Sequence, residues 1–257
     1  MDLTQLGSKA DTNLASTWAQ LGRLIGADVV EGSPLTLVST GIPIAFFNGA
    51  YVSAPDDDPA ALIAAAVGFF SDRQLPWLLW VREGVAPAVL DAGRAAGLSD
   101  AGGPPAMGMY PVPGPPDPPP GLTVELVVDE VGLRDHGAML QQGFDMPREV
   151  VDSLLNGRLY GQERIAAFVG RVDGEPVSSS LLCISADTAG VYNVATPERF
   201  RGRGYGEALT WAAVAEGTRR GCSNAVLQAS AAGYPIYRRM GFVDLGKYVQ
   251  LAGPVTG

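Results

Sequence analysis

The chain has 257 residues, 47% of them hydrophobic, which is long for one small α/β domain and comfortable for two. Its formal net charge of -9 and pI of about 4.6 argue against nucleic acid or an anionic membrane as partner. No apolar run reaches the roughly 18 residues of a membrane span. Cys183 and Cys222 lack metal-type spacing, and the opening MDLTQLGSKAD lacks a signal-peptide pattern. The expectation is a cytoplasmic protein with free cysteines and no metal.

The first helix is expected over Thr12–Ile25, where Leu14, Trp18, Leu21 and Ile25 recur at spacings of three and four. Strands are expected over Leu35–Ser39 and Pro43–Val52. A helix then starts with Asp58 as N-cap and Pro59 at its first position, and runs to Arg73. Trp77–Val81 reads as a buried strand, and Ala86–Ala96 as a helix closed by Gly97-Leu98.

Pro111 to Gly121 reads PVPGPPDPPPG, seven prolines in eleven residues, so neither a helix nor a central strand crosses it. This stiff, extended stretch divides the chain into a domain at 1–110, a linker at 111–121 and a domain at 122–257.

The second half opens with a strand at Leu122–Val128, then helical segments at Leu133–Gln142 and Pro147–Leu155. Strands Arg164–Val172 and Pro176–Ile184 flank Asp173-Gly174, a hairpin turn signal. A strand Gly190–Ala195, a helix Gly204–Arg220, a strand Ala225–Gln228, a short helix Pro235–Met240 and a strand Lys247–Leu251 complete the chain. The halves echo each other. Leu78–Val81, a helix and Gly97-Leu98 match Ala225–Gln228, a helix and Gly241-Phe242, with Arg94 on Arg238 and Gly93 on Tyr237. Where the second half has an Arg/Gly turn, the first has the acidic VSAPDDDPAA, which repels a pyrophosphate.

That turn, Arg201-Gly202-Arg203-Gly204-Tyr205-Gly206, lies between a strand and a helix. Glycines let backbone N–H groups approach a ligand, and the helix start adds unpaired donors and a favourable dipole for an anion. The glycine spacing differs from a dinucleotide fingerprint, and there is no Lys-Ser/Thr for a Walker loop.

Arg201-x-x-Gly204-x-Gly206 is similar to the acyl-CoA pyrophosphate motif of the GCN5-related N-acetyltransferases. Val194-Ala195-Thr196-Pro197 before it and Tyr237-Arg238-Arg239-Met240-Gly241-Phe242 after it also resemble that family. The resemblance spans about Leu122–Leu251 and implies an α/β fold, a mixed sheet flanked by helices. The first half resembles the degenerate partner of tandem members, so two copies are expected. The resemblance further implies acetyl-CoA as cosubstrate, with the backbone of Val194, Ala195 and Thr196 along its pantetheine arm. Arg201, Gly202, Arg203, Gly204, Tyr205 and Gly206 fall at its pyrophosphate, and Ser230, more weakly, on the opposite wall beside Asn224. Tyr237 takes the place of the general acid, with Tyr234 three residues earlier as a substitute.

The general base is open. Tyr192 lies two residues before Val194, which on a regular strand puts it on the same side, although an unperturbed phenol is a poor base at neutral pH. Glu163 and the single histidine, His136, are alternatives. Asp145, Arg148 and Glu149 border the expected acceptor site. The reading is acetyl transfer to a primary amine, from a small molecule or peptide, by direct attack. A non-catalytic acyl-CoA-binding or regulatory protein is the rival, and the sequence leaves monomer and homodimer open.

Overall fold

The computed structural model describes residues 1–253. In chain order its elements are α1 (Leu3–Ile25), β1 (Asp28–Val30), β2 (Leu35–Ser39), β3 (Asn48–Val52), α2 (Pro59–Ser71), β4 (Leu78–Arg82), α3 (Pro87–Ala95), β5 (Ser99–Gly102) and β6 (Pro105–Met109). There follow β7 (Leu122–Leu126), α4 (Glu130–Phe144), α5 (Arg148–Leu154), β8 (Ile165–Val172), β9 (Glu175–Ser185) and β10 (Thr188–Ala195). The last elements are α6 (Tyr205–Arg219), β11 (Asn224–Gln228), α7 (Tyr234–Met240) and β12 (Val243–Ala252). Among the described residues no helix is long and apolar enough to cross a membrane.

The chain forms two compact units. The first takes Met1–Met107, Gln228–Ala231 and the described residues from Asp244 to Gly253; the second takes Gly108–Leu227 and Ala232–Val243. In the first, β1, β2 and β3 form an antiparallel meander, β4 adds parallel to β3, and β12 adds antiparallel to β4. Side chains alternate across a strand. Ala50 and Val52 therefore pack with Leu62, Ile63 and Phe70 of α2, while Tyr51 stacks on Trp18 of α1 with ring centroids 5.9 Å apart.

In the second unit the order is β7-β8-β9-β10-β11, antiparallel except for the β10–β11 pair. The α6 helix covers one face: Ser180 Oγ donates to the Leu209 carbonyl (2.7 Å), and a Cβ at Gly217 would lie 2.5 Å from that of Ala189. On the opposite face α4 and α5 close over Ala195 through Met139, Leu140 and Val151. Both units thus share one order, a three-stranded meander, a helix, then a parallel strand. This is the duplicated mixed α/β plan expected from the echo between the halves.

The Asp173-Gly174 hairpin forms as expected, with φ of 50° and 82° and Val172 opposite Glu175. Several elements differ. The first helix begins at Leu3 rather than Thr12, because Asp2 and Gln5 make a reciprocal capping box. The strand expected from Pro43 starts at Asn48. The Asn48 amide instead holds the preceding turn through the carbonyls of Ile42 (2.8 Å) and Ile44 (3.2 Å). The strands β1, β5 and β6 were not expected; β5 and β6 are short and rich in Gly and Pro. The closing strand is longer than expected, and it pairs with β4 and β5 of the first unit. The proline-rich segment belongs to the second unit. There Pro115–Pro120 bound a groove of about 530 Å³ over the outer face of α6, opposite Ala208, Trp211 and Ala215.

Candidate active site

The β10 strand provides one wall. It pairs with β11 only from Thr188 to Gly190, and the two strands have separated by Val191. Against β9 the register runs regularly to Tyr192↔Leu181 and resumes at Ala195↔Ser179. One extra residue is therefore inserted, a bulge at Asn193-Val194, with Asn193 at φ 53°. The Val194 backbone lies outside both ladders. Three consecutive serines of β9 were passed over in the sequence. Ser178 Oγ donates to the Ala195 carbonyl (3.0 Å) and lies 2.8 Å from Thr196 Oγ1, while Ser179 Oγ donates to the Asn193 carbonyl (3.4 Å).

The bulge overturns one expectation. Tyr192 now shares its face with Ala195, on the side of α4 and α5, because Leu181 and Ser179 share a face. Val194 points the other way: its Cγ1 lies 3.7 Å from where a Cβ on Gly206 would sit. The two side chains are therefore on opposite sides, since alternation does not survive an inserted residue.

The turn into α6 provides the floor. Gly202 and Gly204 have φ of 76° and 79°, a region that strains any side-chain-bearing residue. Gly204 is the N-cap of α6, and no side chain caps the helix, so its first N–H groups stay available to an anion. A Cβ at Gly204 would also lie 3.2 Å from Pro119 Cγ. A Cβ at Gly206 would make a tight contact, 3.2 Å to Thr196 Oγ1. Tyr205 is buried, so it offers the turn its backbone rather than its phenol.

The three arginines divide. Arg201 turns away from the cradle and donates to the carbonyls of Thr196 (3.0 Å) and Gly143 (3.3 Å), tying the end of α4 to the turn. Arg199 stacks on Phe200 and bonds Gln142. Among the described residues Arg203 has no hydrogen-bond or ion-pair partner, and it is exposed beside Gly204.

Tyr237 of α7 is 8% exposed and sits edge-on to Phe242. Burial pushes its pKa up, partly offset by a hydrogen bond with Thr210 of α6. Ser230 is exposed in the β11–α7 connection and grouped with the first unit. Asn224 is buried at the paired end of β11, where its amide donates to the Asp187 carbonyl (3.1 Å).

The alternative bases fare differently. His136 is wholly buried, with Nδ1 3.4 Å from the Phe168 carbonyl, and burial lowers its pKa to about 4. The Glu163 carbonyl accepts from Arg220, at the C-terminal end of α6, about 20 Å of helix from the cradle. Asp145 is an exposed carboxylate two residues after Gly143, whose Cβ position lies 2.9 Å from Ala195. Cys183 and Cys222 are both buried, and burial raises the Cys222 pKa to about 11, so it is no nucleophile at neutral pH.

The first unit lacks the same site at three points. Its β3 stays paired with β4 as far as Val52↔Val81. Its register with β2 has no bulge. Its α2 start is occupied by the Asp58 carboxylate, which accepts from the Ala61 N–H (3.0 Å).

Residues 140–242 match the model of the acetyltransferase (GNAT) family. No functionally curated protein matches the chain. Among solved structures, a GCN5-related N-acetyltransferase from Kribbella flavida superposes with a TM-score of 0.73 at 21% identity, covering 94% of each chain. Another, from Sphaerobacter thermophilus, gives 0.63 at 17% identity over 89% of this chain and 76% of that one. A tandem GNAT protein from the clavulanic acid biosynthesis pathway gives 0.62 at 15% identity, over 87% and 79%. At these identities the structures speak for the fold alone, a tandem one, and it is the family match that identifies residues 140–242 as an acetyltransferase domain of the GNAT family.

Proposed function

We propose that the second unit transfers an acetyl group from acetyl-CoA to a primary amine by direct attack. The observation that carries this reading is the meeting of three features: a bulged strand that leaves its parallel neighbour, an uncapped helix start with two left-handed glycines, and a buried tyrosine on the short helix α7. Acetyl-CoA supplies the activated thioester. The N–H groups at the start of α6 and the Arg203 guanidinium hold its pyrophosphate, and the Val194 backbone aligns the pantetheine arm. Tyr237 gives its proton to the sulfur as the carbon–sulfur bond breaks. Asp145 and Tyr192 lie on the α4–α5 side of the strand, where a cationic acceptor is drawn in by the carboxylate and oriented by the phenol. The amine loses its proton to water or to a group of the acceptor itself.

Calorimetry with acetyl-CoA tests this. One site per chain is expected, lost in a folded Gly204→Glu variant, because that change adds a negative charge and a strained backbone where the pyrophosphate lies. Turnover with an amine panel, monitored as free thiol, completes the test. Binding with no turnover on any amine favours the rival, a non-catalytic acyl-CoA-binding protein. The absence of a histidine or carboxylate on the splayed strand itself is the observation on its side. No binding in the parent sinks both.

A further inference from the structure

The groove over α6 takes no part in the chemistry above. One wall is the strap Pro115–Pro120. The other is the outer face of α6, where Ala208, Ala212 and Ala215 leave room for a ligand. Its volume, about 530 Å³, is in the range of small-molecule sites. A run of prolines is stiff without a partner, so the groove keeps its shape when empty. It begins at the anion cradle. Gly204, the N-cap of α6, lines it, and a Cβ there would lie 3.2 Å from Pro119 Cγ. The glycine that opens the helix start thus also lets the strap come close.

Two polar groups without partners line the groove. Trp211, two turns past Gly204, is 7% exposed. Among the described residues its indole N–H has no hydrogen-bond partner, and the nitrogen is not sealed off. Asp117 is exposed on the strap, with no hydrogen-bond or ion-pair partner among the described residues. The second carboxylate, Glu207, faces Arg239 at 4.0 Å. No cation lines the groove.

We propose that this groove seats the adenine base of the acyl-CoA, which makes the proline-rich segment part of the second unit's cofactor site. The inference rests on the acetyltransferase reading above. Position and chemistry select the occupant. With the pyrophosphate at Gly204, the part of the ligand beyond it is what reaches the groove. Trp211 lies about 10 Å along the helix from the cradle, a span that a ribose and a purine cover together. The apolar walls suit the two faces of a flat ring. The Trp211 N–H donates to a ring nitrogen, and the Asp117 carboxylate accepts from the exocyclic amine. Lacking a cation, the groove offers the phosphates nothing; they stay outside it, beside Arg203, and the uncharged base enters alone.

Calorimetry on the full-length protein tests this with two variants. Ala212→Leu fills the groove from a helix position partly open to solvent, and Asp117→Ala alters the exposed strap, where the fold is not at stake. The first pair of ligands is acetyl-CoA and S-acetyl-4′-phosphopantetheine, which ends at a phosphate and carries no adenosine. Ala212→Leu is expected to weaken acetyl-CoA about tenfold or more and to leave the shorter ligand within about twofold. The second pair is coenzyme A and 1,N6-ethenocoenzyme A, whose exocyclic amine is closed into a ring. The etheno form is expected to bind the parent about fivefold more weakly than coenzyme A, and Asp117→Ala to abolish that difference. Unchanged acetyl-CoA affinity in a folded Ala212→Leu overturns the proposal. So does an equal loss for the long and short ligands, because the groove would then act only through the cradle. A parent that binds both forms of coenzyme A equally overturns the role of Asp117. Failure of the parent to bind acetyl-CoA and the shorter ligand alike is a different result: it sinks the acetyltransferase reading, and this inference with it.

Discussion

His136 lies wholly inside the second unit, with Nε2 unpartnered among the described residues and only a long contact from Nδ1 to the Phe168 carbonyl. Burial disfavours the imidazolium and lowers the pKa from 6.5 to about 4. The unfolded chain therefore takes up a proton near pH 6.5 and the folded chain only near 4. Stability from this group is complete above pH 6.5, falls as pH drops toward 4, and levels below that, by on the order of 3 kcal/mol. Urea denaturation at several pH values, comparing the parent with His136→Leu, reads the difference; equal slopes in the two proteins would refute a buried neutral imidazole. The burial had a signal in the sequence: Leu133, His136, Gly137 and Leu140 share one helical stripe. By contrast, the separate duties of Arg201 and Arg203 were illegible. Their common charge suggested a common role, and only the carbonyls of Thr196 and Gly143 distinguish them.

At the scale of elements, β10 shows what pattern reading finds and what it misses. Gly190–Ala195 was legible as a strand because it is apolar and bounded by turns. The bulge was not, since Asn193 suits a left-handed position but does not demand one, and the serines that pin it lie on another strand. Asn193→Val puts a β-branched residue at φ 53°, at a cost of about 1–2 kcal/mol. The expected result is a lower melting temperature together with weaker acetyl-CoA binding by calorimetry, since relaxing the bulge returns the Val194 backbone to the ladder. Unchanged binding at a lowered melting temperature would remove the bulge from the binding surface. The helix starts carry the complementary lesson. Asp58-Pro59 and Arg201–Gly206 were both readable as helix entries; the carboxylate cap forms at the first, and no side chain caps the second.

For the whole molecule, the repeated order of elements could be read from the echo around Gly97 and Gly241. The path of the closing strand could not. Its residues fit either sheet by pattern alone, and only the pairing of Tyr248–Ala252 with Leu78–Arg82 assigns it. A fragment of residues 1–110 therefore lacks the strand that covers β4. It is expected to stay unfolded or aggregate, through the bare edge of β4, and to fold when 243–253 is supplied as a peptide or joined through a flexible linker. Circular dichroism and size-exclusion chromatography check this, and a soluble, cooperatively melting 1–110 would refute it.

The same strand sets a timetable for a nascent chain. Domains usually fold in the order they are synthesised, at about 5–20 residues per second. Here the first unit waits for Tyr248 and Leu251 to arrive, on the order of ten seconds after its own helices have been made. The second unit has all of its strands earlier, so the part of the chain made first is completed last. Through that interval the β4 edge is open to any other strand.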